Sequence, residues 1–210
     1  MTNESSNTPS NNIPKEVRDY YEKGIAAIKR GNYGYAVELF SSALALKQDY
    51  AEARYYLWLS LWERQKRSPD ALKMRMIIGK ITGFFLTLRG LSLKKSGKTW
   101  EAVYQLEKSM KFDPCNIRIL NAIAECLLSE NQTLNAVKIL EAIPLLDKKN
   151  YNAFKKLGKL YASLDNYDKA RAYYEAAIDV NPSDEEAEQG LKDLDALRAL
   201  KGSFVNPENR

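Results

Sequence analysis

Residues 151–184 read YNAFKKLGKLYASLDNYDKARAYYEAAIDVNPSD, and this stretch predicts two short amphipathic helices joined by a tight turn. In the first helix, Leu157 and Tyr161 stand four residues apart and therefore lie on one face. Asp165 is a residue type that favours turns. Pro182 ends the second helix, because the residue before a proline disfavours helical backbone angles. One hairpin cannot bury its own apolar face, so the stretch predicts neighbouring hairpins of the same kind.

The same pattern recurs at intervals of 34 residues along the chain. The front of the chain carries small and aromatic residues at the same spacing as residues 151–184. The matching sets are Gly24, Ala36, Phe40 and Ala43 in one stretch and Gly158, Ala170, Tyr174 and Ala177 in the other. This pattern resembles the tetratricopeptide repeat (TPR) family, whose unit is a helix-turn-helix. The resemblance implies an all-α fold, a right-handed α-α superhelix of about five helix hairpins followed by a capping helix.

The resemblance also divides residues 15–201 into repeats. They are predicted at 17–50, 51–82, 83–116, 117–150 and 151–184, with a capping helix at 185–201. The second repeat is degenerate, because it has only 32 residues and carries Trp58 where the family has a small residue. The predicted helix pairs are 15–30 and 33–47, 50–66 and 69–80, 82–96 and 99–112, 116–130 and 133–143, and 150–163 and 167–180.

Composition is consistent with an elongated helical domain. The chain has 210 residues, 45% of them hydrophobic, but no apolar run long enough to cross a membrane. Residues 1–14 are rich in Asn, Ser and Thr and are expected to be disordered rather than a signal peptide or anchor. Residues 202–210 are expected to form a flexible tail. Cys115 and Cys126 form no ligand cluster, which favours a reducing, cytoplasmic location.

The sequence offers little catalytic chemistry. The chain has no histidine, which removes the commonest general base and metal ligand. Gly97, Lys98 and Thr99 imitate the end of a nucleotide-binding loop, but the upstream glycine and the preceding strand are missing. We therefore expect no enzyme, no cofactor and no metal site.

The resemblance implies that the first helix of each pair lines a concave groove that binds a segment of a partner protein. The predicted groove residues are Tyr21, Ile25, Tyr55, Leu59, Trp62 and Phe84, with Lys94, Lys95 and Arg118 steering a partner that has acidic flanks. The same mapping places Thr87, Leu91, Asn121, Glu125, Asn152, Lys155 and Lys159 on that face. Clustered apolar and aromatic surface usually marks a binding site, although Ile28 and Leu91 could instead belong to the core.

Charge along the chain leaves alternatives open. Residues 64–98 contain ten Lys or Arg and one acid, whereas residues 175–195 contain eight acids and one Lys. Solvated faces, an acidic partner, or head-to-tail contact in a homo-oligomeric scaffold would each account for this polarity. A nucleic-acid-associated factor is the alternative outside protein binding, and it is unlikely because no stacking platform accompanies the basic residues. The residues that hold a chaperone's C-terminal carboxylate in some relatives of this family are absent, which disfavours that subclass.

Overall fold

A computed structural model describes residues 13–67 and 73–205, and all regular secondary structure in these ranges is helical. The predicted all-α fold is thereby confirmed for these residues. The chain divides into two compact units, Met1–Ser68 and Pro69–Arg210. Each unit is built from antiparallel helices that pack against the next helix along the chain.

Unit 1 contains α1 (Lys15–Lys29), α2 (Tyr33–Leu46) and α3 (Ala51–Arg67). Gly31 adopts a positive φ of 72° between α1 and α2, a conformation that glycine reaches without a steric penalty. Asn32 then caps α2, because its side-chain oxygen accepts a hydrogen bond from the Tyr35 amide at 3.2 Å. Phe40 on α2 is fully buried against Gly24 on α1, where an added Cβ would lie only 2.6 Å from the ring. Small residues therefore set the spacing of this hairpin.

Unit 2 continues the same construction with more helices. They are α4 (Lys73–Lys95), α5 (Thr99–Met110), α6 (Ile117–Ser129), α7 (Thr133–Leu140), α8 (Ala142–Leu146), α9 (Tyr151–Ser163), α10 (Tyr167–Val180) and α11 (Glu185–Val205). Asn116, Asn150 and Asn166 cap α6, α9 and α10 through their side-chain oxygens. The core residues come from the small and aliphatic positions of the repeat, such as Ala136 and Leu157, which are fully buried.

The structure corrects the predicted helices at 69–80 and 82–96. Residues 73–95 form one continuous helix, so the predicted break near residue 81 is wrong. Gly79 and Gly83 allow α4 to pack closely on Phe112, which follows α5: a Cβ at Gly79 would lie 3.0 Å from the Phe112 ring, and one at Gly83 would lie 3.3 Å from Phe112 Cβ. The repeat boundaries at 82 and 83 stay a prediction.

Two helix ends also differ from the sequence-based expectation. The predicted helix 133–143 is divided, because α7 ends at Leu140 and the short α8 contains Pro144, which has no amide hydrogen to donate. Helix α11 continues to Val205, beyond the predicted end at residue 201. The predicted disorder of residues 1–12 and the tail after residue 205 fall outside the described residues. Within the described part of the chain, no helix combines the length and apolar content that crossing a membrane requires.

Candidate functional site

The predicted groove residue Tyr21 lies in an aromatic cluster of unit 1. Its ring centroid is 5.9 Å from that of Phe40, 5.1 Å from that of Tyr50 and 5.8 Å from that of Tyr56. Burial raises the pKa of the Tyr21 hydroxyl well above its usual range and raises the pKa of Tyr50 to about 12. These contacts give Tyr21 a packing role between α1, α2 and α3, with part of its surface left accessible.

A second aromatic row follows α3. Trp58 is fully buried and stacks on Trp62, with 5.2 Å between ring centroids and 19° between planes. The Tyr55 ring also contacts Trp58, with 5.9 Å between ring centroids. The ammonium group of Lys66 lies 3.2 Å from the centre of the Trp62 ring, a cation-π contact. Tyr55 and Trp62 are half-buried, and so are the two other predicted residues of this unit, Ile25 and Leu59.

In unit 2, α4, the end of α5 and α6 enclose a groove of about 670 Å³, which we call the apolar groove. Its walls include Phe84, Leu88 and Leu91 of α4 and Arg118, Ala122 and Glu125 of α6. Helix α4 turns its glycine face toward α5, where a Cβ at Gly90 would lie 2.8 Å from Leu106. The apolar side chains on the neighbouring face are left open, and Phe84 retains 59% of its surface.

The polar atoms at the floor of the apolar groove are already paired. The Thr87 and Ser109 hydroxyl oxygens lie 2.7 Å apart, and both are within hydrogen-bond distance of the Gly83 carbonyl, at 2.9 and 2.7 Å. The Asn121 amide donates to the Ile117 carbonyl at 3.0 Å. Because these groups already have hydrogen-bond partners, a ligand does not have to satisfy them when it covers the floor of the groove.

The three predicted steering cations differ in their surroundings. Lys94 forms an ion pair with Glu125, which joins α4 to α6 and neutralises its charge. Arg118 lines the apolar groove, and Lys95 is exposed outside its lining. Arg118, Lys95 and the groove residue Lys80 make no ion pair with an acidic residue of the described chain. Arg118 and Lys80 are therefore the cations of the groove lining that form no ion pair within the described chain. Asp113, which accepts a hydrogen bond from the Asn116 side-chain amide at 3.1 Å, is the acid of the lining that forms no ion pair there.

A second depression of about 510 Å³, which we call the lysine pocket, lies between α6, α9 and the start of α11. Its charged lining is Lys155, Lys156, Lys159 and Glu186, and it shares Asn121 with the apolar groove. The family register placed Asn121, Lys155 and Lys159 on this face. Sequence reasoning did not select them as site residues, because their partners are distant along the chain: Glu186 is 31 residues from Lys155 and 27 from Lys159, and Lys156 is 35 residues from Asn121.

The chain is similar to known tetratricopeptide proteins over much of its length. Family models described as tetratricopeptide repeat match residues 21–74 and 151–184. DnaJ homolog subfamily C member 3 of Rattus norvegicus is 26% identical over 194 residues, which cover 84% of this chain and 38% of that protein. Cell division cycle protein 27 homolog A of Arabidopsis thaliana is 29% identical over 120 residues, 57% of this chain and 17% of that protein. The chain thus spans well under half the length of these relatives.

Solved structures agree on the fold. A tetratricopeptide repeat protein from Parabacteroides merdae matches 89% of this chain and 61% of its own, with a TM-score of 0.52 and 19% identity. The first tetratricopeptide domain of Spaghetti (RPAP3), bound to an HSP90 peptide, matches 57% of this chain and 95% of its own, with a TM-score of 0.50 and 22% identity. At these identities the likeness shows the fold alone.

Proposed function

Because the chain is a tetratricopeptide-repeat protein, as its sequence predicted, we propose that it binds a segment of a partner protein in the apolar groove of unit 2. The tetratricopeptide fold supports a protein–protein interaction module, since its stacked hairpins leave an extended surface open to partners. The observation that carries the proposal is the exposure of Phe84, Leu88 and Leu91 along one side of a concave groove. Contiguous exposed apolar surface in a concavity is typical of a protein-binding site.

The energetics favour an apolar anchor. Full burial of a Phe or Leu side chain contributes about 1.5–3 kcal/mol, and Phe84 has 59% of its surface still to bury. Covering Phe84 therefore contributes about 1–2 kcal/mol, which corresponds to a change in Kd of about 5- to 30-fold. The paired hydroxyls of Thr87 and Ser109 add little, because a ligand gains no hydrogen bond by displacing an internal one.

The partner segment should carry acidic residues beside its apolar anchor. Arg118 and Lys80 line the groove without an acidic partner in the described chain. Like-charged groups at the rim repel a basic segment and increase the association rate of an acidic one. We still predict partner contacts in unit 1 at Tyr55, Leu59 and Trp62, because these side chains are partly exposed.

The test compares two neighbouring phenylalanines. Phe84 lines the apolar groove, whereas Phe85 is 64% exposed and is not part of its lining, so Phe85→Ala is a matched control for Phe84→Ala. Proteins captured from a native lysate by the wild-type chain are identified, and the Kd of the purified partner is measured for each variant by calorimetry. We expect Phe84→Ala to weaken binding at least fivefold and Phe85→Ala to leave it within twofold.

Equal effects of the two substitutions would refute the groove as the binding site. A steep linear fall of log affinity with log salt, with capture abolished by nuclease, would instead support the nucleic-acid alternative at residues 64–98. Binding through the apolar groove predicts a shallow salt dependence, because few cations such as Arg118 and Lys80 take part.

A further inference from the structure

The lysine pocket continues the apolar groove along the same face of unit 2. Asn121 of α6 lines both depressions. Its side-chain oxygen accepts a hydrogen bond from the Lys156 ammonium group at 3.1 Å, so this lysine is held at the junction. A segment that lies over Phe84 and Leu91 and extends past Asn121 therefore reaches three lysines of α9.

A carboxylate of the chain itself already occupies the lysine pocket. Glu186, in the first turn of α11, contacts Lys155 at 2.8 Å and also forms an ion pair with Lys159. Lys156 faces the same pocket and has no ion pair with a described carboxylate. The three lysines therefore carry one positive charge more than the two carboxylates, Asp184 and Glu186, that pair with Lys155 and Lys159.

Two of the ion pairs of α9, Lys155–Asp184 and Lys159–Glu186, differ in how readily they can exchange. Lys155 and Asp184 lie 2.9 Å apart, with only 14% and 6% of their side chains exposed. Asp184 also caps α11 by accepting from the Ala187 amide at 3.0 Å, so this pair is part of the fold. Lys159 and Glu186 keep 55% and 51% of their side chains exposed. Solvent screens such a pair, which makes it weak and replaceable.

We propose that the lysine pocket binds a carboxylate of the same partner segment, and that Glu186 competes with this carboxylate for Lys159. The inference rests on the proposed function, because the acidic stretch belongs to the segment whose apolar residues lie in the apolar groove. An incoming Asp or Glu takes the Lys159 ammonium group from Glu186 and also meets Lys156. Lys155 keeps its contact with Asp184 throughout, so α11 stays anchored.

The displacement of Glu186 from Lys159 requires acidic residues at one end of the partner segment. The apolar groove offers Phe84 and Leu91 at one end, and the lysine pocket offers ammonium groups at the other. A segment bound in the reverse direction would place its apolar residues beside the ammonium groups and leave Phe84 uncovered, which forgoes the free energy of apolar burial. The positions of the apolar groove and the lysine pocket therefore set the direction of binding, and Glu186 limits its affinity.

The experiment titrates the full chain with N-acetylated hexaglutamate, and with hexaglutamine as the uncharged probe, at low salt. Amide shifts in a ¹⁵N NMR spectrum locate the site and give the Kd. We expect hexaglutamate, and not hexaglutamine, to shift the amides of Lys156 and Lys159. Glu186→Gln should tighten hexaglutamate binding about two- to fivefold, the range expected for one exposed ion pair.

Matched variants separate competition from a structural effect. Lys156→Gln and Lys159→Gln should each weaken hexaglutamate binding about two- to fivefold. Glu188 lies at an exposed position of α11, outside the pocket lining, so Glu188→Gln removes an equal charge without altering the pocket. It should change the Kd for hexaglutamate by less than Glu186→Gln does. Asp184 together with the buried Leu194 keeps α11 in place, so the α11 amide shifts of the free variants should stay close to wild type.

The inference is overturned if Glu186→Gln leaves the Kd unchanged, weakens binding, or has the same effect as Glu188→Gln. It is also overturned if hexaglutamate shifts only amides of residues 64–98. A third result is that partner binding depends on Phe84 and not on Phe85, but hexaglutamate does not bind the lysine pocket. In that case the proposed function stands and this inference fails. Loss of the Phe84 dependence would instead reject the proposed function itself.

Discussion

The contact between α4 and α5 sets the shape of the apolar groove, and Gly90→Ala tests it. A Cβ at Gly90 would lie 2.8 Å from Leu106 Cγ and 3.3 Å from the Ala102 carbonyl oxygen. Leu106 is completely buried and the carbonyl belongs to the backbone, so neither can withdraw freely. Alanine gains about 1 kcal/mol over glycine in a helix interior, whereas overpacking a core costs about 1–3 kcal/mol. The variant should be destabilised by up to about 2 kcal/mol.

Gly34→Ala provides the matched control. Gly34 is also helical, within α2, but an added Cβ would meet no other atom within 4 Å. The same substitution should therefore stabilise the protein by about 0.5–1 kcal/mol. The free energies of unfolding of the two variants should differ by about 0.5–3 kcal/mol, with Gly90→Ala the less stable.

Urea unfolding followed by circular dichroism measures the difference. Hydrogen exchange of α4 and α5 amides shows where stability is lost, since helical repeats can open locally. Combining Gly90→Ala with Leu106→Ala should show favourable coupling of about 0.5–3 kcal/mol, because the new methyl group occupies space that the leucine vacates. The packing argument is refuted if Gly90→Ala stabilises the protein as much as Gly34→Ala does.

Further predictions concern the core, pH and thiols. Trp58→Ala should cost about 3–5 kcal/mol in urea unfolding because the ring is fully buried, and a loss below about 1 kcal/mol would contradict its core position. Lys155 lowers the pKa of Asp184, so this stabilisation is complete above the unfolded pKa and is lost as pH falls. Wild-type α11 should therefore exchange amide hydrogens faster below about pH 4, and Lys155→Met should show a weaker pH dependence. In the native protein, Ellman's reagent should modify the exposed Cys115 rapidly, whereas Cys126, buried and with a raised thiol pKa, should react only on unfolding.

Much of the fold could be predicted because the repeat signal is local. Helix α2 begins at Tyr33, as predicted, since Asn32 has the residue type and the position of an N-cap. Helix α10, Tyr167–Val180, matches its predicted bounds because a capping asparagine precedes it and Pro182 follows it closely. Caps and turns of this kind depend only on neighbours in sequence, so they can be read without knowing the tertiary contacts.

The predicted break near residue 81 followed from the 34-residue register, which places a repeat boundary at residues 82 and 83. In the structure, Gly79 and Gly83 instead allow one continuous α4 to approach Phe112 of the following segment. Only this tertiary contact reveals the packing role of the two glycines. Tyr21 stays a predicted groove residue, and its packing against Phe40 depends on contacts between helices that register within one repeat does not describe.

The candidate site was predictable in part for the same reason. Family register places Phe84 and Arg118 on one face, and the structure brings both to the wall of the apolar groove. The lysine pocket depends on Glu186, whose contact with Lys159 joins two helices that are distant in sequence. No periodicity within one repeat encodes that pairing, so composition alone showed only a general polarity of charge.

Site-specific photo-cross-linking at position 84 identifies what occupies the apolar groove. A benzoylphenylalanine placed at Phe84 reacts with whatever lies in the apolar groove, and the same group at Phe85 serves as the control. The account predicts one dominant cross-linked partner at position 84, joined through an apolar residue that has acidic neighbours, and little product at position 85. Equal cross-linking at both positions, or attachment through a basic segment or nucleic acid, would contradict it.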